Sequence, residues 1–354
     1  IKNGAAASIM GAGGVMKTAF CGPCFGAGDT PANNAFSIRH STRNFPNREG
    51  SKLQNGQISS VALMDARSIA ATAANKGYLT SATDLDVEYK ERKYHFDSSI
   101  YENRVFDSKG VADPDTEIHF GPNIKDWPEM VALTDHLLLK VVSEIHDPVT
   151  TTDELIPSGE TSSYRSNPLG LAEFALSRKD PEYVGKAKEV QRAEKIRQEG
   201  SCPCGHSEIF EKVWKDIKAA FPDMELNRNT MGIGSTIYAV KPGDGSAREQ
   251  AASCQKVLGG WANIAQEYAT KRYRSNLINW GMLPFIYEEE ELPFKKDDYL
   301  FIPNIAEAVR NKATEIPAYV YGKEMKPFTL KLGEMTDDER DIILKGCLIN
   351  YNRV

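Results

Sequence analysis

Two thiols separated by two residues stand at Cys21-Gly22-Pro23-Cys24, flanked by Phe20 and Phe25 between Ala19 and Gly26. Three chemistries use that spacing: a dithiol redox pair, a zinc site and an iron–sulfur site. A redox pair calls for a long helix beginning at the motif, and Phe25-Gly26-Ala27-Gly28-Asp29 does not continue as one. Zinc calls for two further ligands at comparable spacing. The other close pair is Cys202-Pro203-Cys204, followed by Gly205 and His206. The segment looks metal-binding by composition; its Cys-x-Cys spacing is cramped for one tetrahedral ion, and the plainer reading is a structural loop between two helices.

Arg43-Asn44-Phe45-Pro46-Asn47-Arg48 brackets a turn with two guanidinium groups. Such forks grip carboxylates through paired N–H donors; the plainer reading is a polar surface loop. Asp153, in Thr151-Thr152-Asp153-Glu154, precedes a second arginine-centred turn, Tyr164-Arg165-Ser166-Asn167-Pro168. On the plain reading Asp153 caps a turn and Asn167-Pro168 ends a strand. Gly243-Asp244-Gly245-Ser246-Ala247-Arg248-Glu249 follows a β-rich run and precedes a helical pattern. Ser246 therefore falls at a helix N-terminus, where backbone N–H groups and the dipole favour negative charge. No histidine adjoins Ser246, so a hydrolase-type triad is not indicated. A serine can instead work as an alkoxide base where cationic and N–H groups stabilise it, and Arg248 with the helix start offers both. The same Gly-x-Gly-Ser pattern also fits an ordinary capped helix start.

The elements that must position these residues read as a mixed α/β chain. Apolar spacing predicts a helix over Val61–Lys76 with Gly77 as its C-cap. Short apolar runs before it suggest strands packed in an α/β layer. From Thr83 to Trp127 the chain turns polar and loses periodicity, as an interdomain linker would. His136–Val142 reads as a buried strand, Asp180–Gly200 as a helix with a solvated Lys/Arg face, and Ser207–Phe221 as a second helix. Ile233–Val240 is a strong strand pattern and Arg248 onward a helix. The last stretch alternates strands (around 297–305, 316–322 and 326–332) with turns before a closing helix over Thr336–Leu348. Met10, Met16 and Met64 suit core packing. The resulting domain boundaries are 1–82, a linker over 83–132, and 133–354.

At 354 residues the chain can bury a large core. A net charge of −6 gives no electrostatic reason to expect nucleic acid or an anionic membrane as partner. Six cysteines are too sparse for a disulfide framework, which favours a reducing compartment: the cytoplasm, or alternatively a mitochondrial matrix. No apolar run approaches the roughly 20 residues that span a bilayer. The first residue is Ile1, and Ile1–Met16 reads as the inside of a domain already under way, so the expectation is a piece of a longer protein.

Taken in chain order, these motifs resemble those of the aconitase family of iron–sulfur hydro-lyases. Cys21-Gly22-Pro23-Cys24 looks like the family's C-G-P-C cluster signature, and Arg43-Asn44-Phe45 with Arg48 is similar to its N-R-N-F-x-G-R carboxylate loop. Thr151-Thr152-Asp153 resembles T-T-D-H, and Arg165 falls where a further substrate arginine is expected. Gly245-Ser246-Ala247-Arg248-Glu249 resembles G-S-S-R-E, and Ser275 to Pro284 resembles N-L-x-x-x-G-L-L-P. The chain departs from these patterns at Thr42, Glu154, Ala247 and Gln250, all of which alter the pocket around a substrate.

The resemblance implies the end of a cluster-binding α/β/α domain, then the linker and a β/β/α swivelling domain. It implies a [4Fe-4S] cluster on Cys21 and Cys24 with a third cysteine from outside this chain. Arg43, Arg48 and Arg165 would bind substrate carboxylates together with Ser246 and Arg248. The implied reaction removes and re-adds water on a hydroxy di- or tricarboxylic acid such as citrate or isocitrate, with Ser246 as base and Arg248 and Asp153 in the catalytic set. Implied partners are that substrate and the N-terminal aconitase domains, from the same longer protein or a separate subunit. The alternative reading is an RNA-binding or non-catalytic scaffold member, and only the helix around Lys186–Arg197 is markedly basic.

Overall fold

Asp65 divides the stretch that apolar spacing reads as one helix. Its carboxylate accepts from the N–H groups of Arg67 and Ser68, both at 3.0 Å, and caps a helix that starts only at Ala66. The residues before it form a strand. This computed structural model describes residues 3–17, 32–40, 60–88, 96–105, 107–117, 119–157, 161–201 and 208–353. Contacts divide the chain into two units, Ile1–Thr116 and Glu117–Val354.

The first unit holds α1 (Ala5–Gly11), β1 (Phe36–Arg39), β2 (Ser60–Leu63), α2 (Ala66–Ala74) and α3 (Ser99–Glu102). β1 and β2 pair in parallel, Phe36 opposite Ser60. α2 ends as Lys76 turns left-handed at φ 56° and Gly77 N–H reaches back to Thr72 O at 2.8 Å. Met10, on an α1 that buries none of its residues, and Met16, beyond the end of α1, are exposed, against the expectation of core packing.

The second unit opens with β3 (His136–Ile145), β4 (Thr150–Thr151), α4 (Thr152–Leu155) and α5 (Pro168–Ala172). There follow α6 (Tyr183–Gln198), α7 (Glu208–Ala220), β5 (Met231–Ala239), β6 (Pro242–Asp244), α8 (Arg248–Val257) and β7 (Gly260–Ala265). Then come α9 (Lys271–Asn279), β8 (Leu283–Ile286), β9 (Tyr299–Ile302) and α10 (Ile305–Arg310). The chain ends with β10 (Glu315–Val320), β11 (Lys326–Leu332), α11 (Asp337–Lys345) and α12 (Leu348–Asn352).

β3, β5, β7 and β8 lie side by side in parallel, each reached through helices, as parallel neighbours require. β11, β10 and β9 then run antiparallel and return to β3, closing a barrel in the order β10-β11-β8-β7-β5-β3-β9. Strands covered on both faces read as continuous apolar runs, and β5 is buried at every position. Neighbouring residues of β3 serve two cores. Leu138 and Val142 pack with α6, α7 and α8. Leu137, Leu139 and Val141 pack with Phe285, Leu300, Ile302 and α10.

The basic helix is less solvated than its composition suggests. α6 buries Tyr183, Ala187, Val190 and Ala193, and also Glu194. Glu194 accepts from Arg197 Nε and Nη2, each at 2.7 Å, and from the Ile233 N–H of β5 at 2.9 Å. A buried carboxylate needs such partners, so part of the Lys/Arg run holds the helix to the barrel.

Candidate active site

The turn that carries Ser246 follows β5 and is held from three directions. Gly243 has φ 97°, a conformation that L side chains rarely adopt. Its backbone lies directly against the buried ring of Tyr273. Tyr273 is in turn fixed through its hydroxyl, which accepts from Asn263 Nδ2 at 2.8 Å and Gln255 Nε2 at 3.0 Å. Ala269 N–H donates to Pro242 O at 3.0 Å, tying the loop before α9 to β6. Arg248 Nη1 donates to Gly245 O and closes the turn.

Ser246 is exposed at the tip of this turn. It precedes the N-cap residue Ala247, which makes no side-chain cap bond, so Ser246 is not spent on capping α8. That distinguishes it from the ordinary capped helix start.

β4 pairs in parallel with β6, Thr150 opposite Pro242 and Thr151 opposite Asp244. The pairing brings the Thr151-Thr152-Asp153 turn, which follows the end of β3, beside the serine turn, which follows the end of β5. Thr151, not Asp153, is the cap here. Thr151 Oγ1 accepts from Glu154 N–H at 3.2 Å, and Glu154 Oε2 accepts from Thr151 N–H at 2.8 Å, a reciprocal capping box. Asp153 is left to meet Arg178 Nη1 at 3.1 Å. Glu154 also meets Lys179 Nζ at 3.3 Å. Burial pushes its carboxyl up, but the Thr151 N–H and hydroxyl together with Lys179 hold it below the usual glutamate value.

Arg165 is exposed in the turn that precedes α5. Asn167 does not end a strand; its Oδ1 accepts from Gly170 N–H at 3.0 Å and caps α5, with Pro168 in the first turn. α4 and α5 both pack on α8, so one helix gathers the segments that carry Asp153, Arg165 and Ser246. Cys21, Cys24, Arg43 and Arg48 lie outside the described residues, as do Cys202, Cys204 and His206. Among the described residues no group of three or more His, Cys, Asp and Glu is arranged to hold a metal ion. The described cysteines, Cys254 and Cys347, are free and buried. Burial pushes the Cys254 thiol well above its ordinary value, which suits an inert core residue.

Family models match two stretches of the chain, neither of which includes Asp153 or Arg165. The family model of the aconitase family (aconitate hydratase) matches residues 1–71, and that of the aconitase C-terminal domain matches residues 212–290, which include the serine turn. Both stretches are thus similar to the aconitase family. Aconitate hydratase A of Rickettsia bellii is 28% identical to it over 144 residues. That match takes in 39% of this chain and 16% of the length of that aconitase relative. A crystal structure of 3-isopropylmalate dehydratase from Methanocaldococcus jannaschii aligns with 61% of this chain and 92% of its own, at 23% identity and a TM-score of 0.36.

Tyr273, Thr270 and Glu154 are the supporting residues that sequence reasoning missed. Thr270 Oγ1 caps α9 by accepting from Tyr273 N–H at 3.1 Å and donates to Gly243 O at 3.4 Å. The Thr151-x-x-Glu154 capping-box spacing was a readable local signal. Nothing local to Tyr273 points to Gly243, since the two meet only across the fold.

Proposed function

We propose that this chain is part of an aconitase-like hydro-lyase acting on a hydroxy di- or tricarboxylic acid such as citrate or isocitrate. The observation that carries the reading is the exposed, uncommitted Ser246 on a turn held by Tyr273 and Arg248 beside the Asp153 turn. In this reading Ser246 Oγ, deprotonated, takes the proton from the carbon next to the leaving hydroxyl. The start of α8 and the guanidinium of Arg248 favour that anion, since preorganised N–H groups and positive charge lower a hydroxyl's pKa only where they are fixed in advance. Arg165, with Arg43 and Arg48, fixes the substrate carboxylates and so decides which carbon faces the serine. Asp153, paired with Arg178, shapes the charge beside the turn.

Cys21 and Cys24 are thiolate donors of the type an iron–sulfur cluster takes, and a third cysteine would come from outside this chain. A bound [4Fe-4S] cluster would supply a Lewis acid for the departing hydroxyl. The N-terminal aconitase domains, in the same longer protein or a separate subunit, are the proposed partner.

The test is iron and acid-labile sulfide analysis of anaerobically purified protein with whatever accompanies it, alongside a hydration assay on enoic di- and tricarboxylic acids. Iron, sulfide and turnover together support the reading. Protein that carries neither iron nor any hydration activity overturns it.

A further inference from the structure

A pocket of about 610 Å³ opens beside the first turn of α8, between the ends of α9 and α12. None of the residues given a chemical role above lines it. Its size lies within the roughly 300–1,000 Å³ of small-molecule sites.

One wall is aromatic. Trp127 and Trp280 pack together with ring centroids 4.3 Å apart and planes tilted by 41°. Trp280 is buried, whereas Trp127 remains 39% exposed and Ile349, which also lines the pocket, is 41% exposed. A flat ligand would find indole on one side and an aliphatic chain within reach. Glu249 supplies a carboxyl that burial pushes above its usual value, against the opposing effect of the nearby Ser253 and Trp280 side chains. A carboxylate has about four acceptor sites, so capacity remains. The Asn279 amide and the Arg353 guanidinium also line the pocket. Among the described residues neither side chain makes a hydrogen bond or ion pair.

These groups make a specific combination. An aromatic wall stacks a planar base, a carboxyl accepts from its amino edge, an amide can donate or accept beside it, and a guanidinium takes an anion. We propose that this pocket is a second small-molecule site and that it takes a purine mononucleotide. The base lies against Trp127 with its amino edge toward Glu249 and Asn279, and the phosphate meets Arg353. Because Glu249 sits in the same first turn of α8 that follows Ser246, the site adjoins the serine turn in sequence while remaining apart from it in its lining.

The test titrates the full chain with adenosine and guanosine monophosphates, following tryptophan fluorescence and equilibrium dialysis. Ribose 5-phosphate is the control that lacks a base. The expected result is saturable, submillimolar binding of at least one nucleotide. Trp127→Ala and Arg353→Glu should each weaken it by about tenfold or more, as loss of one stacking or one charge contact predicts. Arg353 is exposed, so Arg353→Glu keeps the test decisive even if Trp127→Ala folds poorly. Three outcomes overturn the proposal: no saturable binding of either nucleotide, binding unchanged by Arg353→Glu, or ribose 5-phosphate binding equally well. The readout is binding to this chain alone, so it does not depend on the hydro-lyase reading.

Discussion

The backbone of Gly243 rests against the ring of Tyr273 so closely that a Cβ on Gly243 would lie 2.2 Å from Tyr273 Cγ. Tyr273 cannot easily give way, since it is fully buried and bonded to both Gln255 and Asn263. Gly243→Ala therefore meets a left-handed backbone and an overpacked contact at once. The expected loss is about 2–4 kcal/mol of stability, read as a lower urea midpoint, with activity falling as the serine turn shifts. An unchanged midpoint would mean that the Tyr273 network does not hold the turn.

Ser246→Ala should leave the fold untouched, within about 0.5 kcal/mol, because the side chain is exposed and caps nothing. Turnover should drop by roughly 10²–10⁴, the span of a lost proton-transfer group. Substrate affinity, measured by calorimetry on the inactive variant, should change little. Near-normal rates would remove the serine from the chemistry.

Glu154 ties the Asp153 turn shut at both ends. Glu154→Ala should cost about 1 kcal/mol through the lost cap and blur the position of Asp153. The carboxyl is held below its usual value in the folded protein. The unfolded chain therefore protonates first as pH falls, and the contribution of Glu154 is full above its unfolded value and disappears through the folded one. Melting curves of wild type and Glu154→Gln should converge in acid and separate near neutrality; parallel curves at all pH values would contradict the capping role.

Lys256 is a buried amine of the second unit. Its Nζ is buried without a hydrogen bond, 3.7 Å from the centroid of the Trp261 ring. The ring attracts an ammonium by up to about 2 kcal/mol, yet burial outweighs it and lowers the amine to about 8. Between about 8 and 10.5 the unfolded chain holds a proton that the folded chain has released, so stability rises with pH across that window. Lys256→Met should abolish that rise and stabilise the protein at neutral pH by about 3 kcal/mol at most. A variant that melts lower than wild type at pH 7 would show that the ring contact dominates.

Much of the barrel was legible because its strands are buried on both faces. Ile233–Val240 and His136–Val142 announced themselves as apolar runs, and the structure moves their ends by only a few residues, to Met231–Ala239 and His136–Ile145. The Thr336 helix carried its own capping signal and begins where expected. What failed was local reading of groups whose role is set elsewhere. Asp65 cut one predicted helix into a strand and a helix because Val61-Ala62-Leu63 had a partner in β1. The Lys/Arg run of α6 read as solvent-facing, yet its Arg197 holds the buried Glu194, which also accepts from the N–H of Ile233, far along the chain. Around the serine, the Gly-x-Gly-Ser-x-Arg spacing was visible, but not that Tyr273 underlies it or that β4 would bring Asp153 alongside.

The pairing of β9 with β3 also imposes an order on synthesis. As the chain is made, the four parallel strands are complete once Ile286 has been added, but one side of β3 has no neighbour until Tyr299–Ile302 arrives, and the ring stays open until Lys326–Leu332 links β10 to β8. Through that interval a nascent chain presents two unpaired strand borders, the kind that recruit other extended chains. The risk of misassembly is thus concentrated in the interval between the emergence of Ile286 and that of Lys326–Leu332, which removes the last exposed border of the barrel sheet.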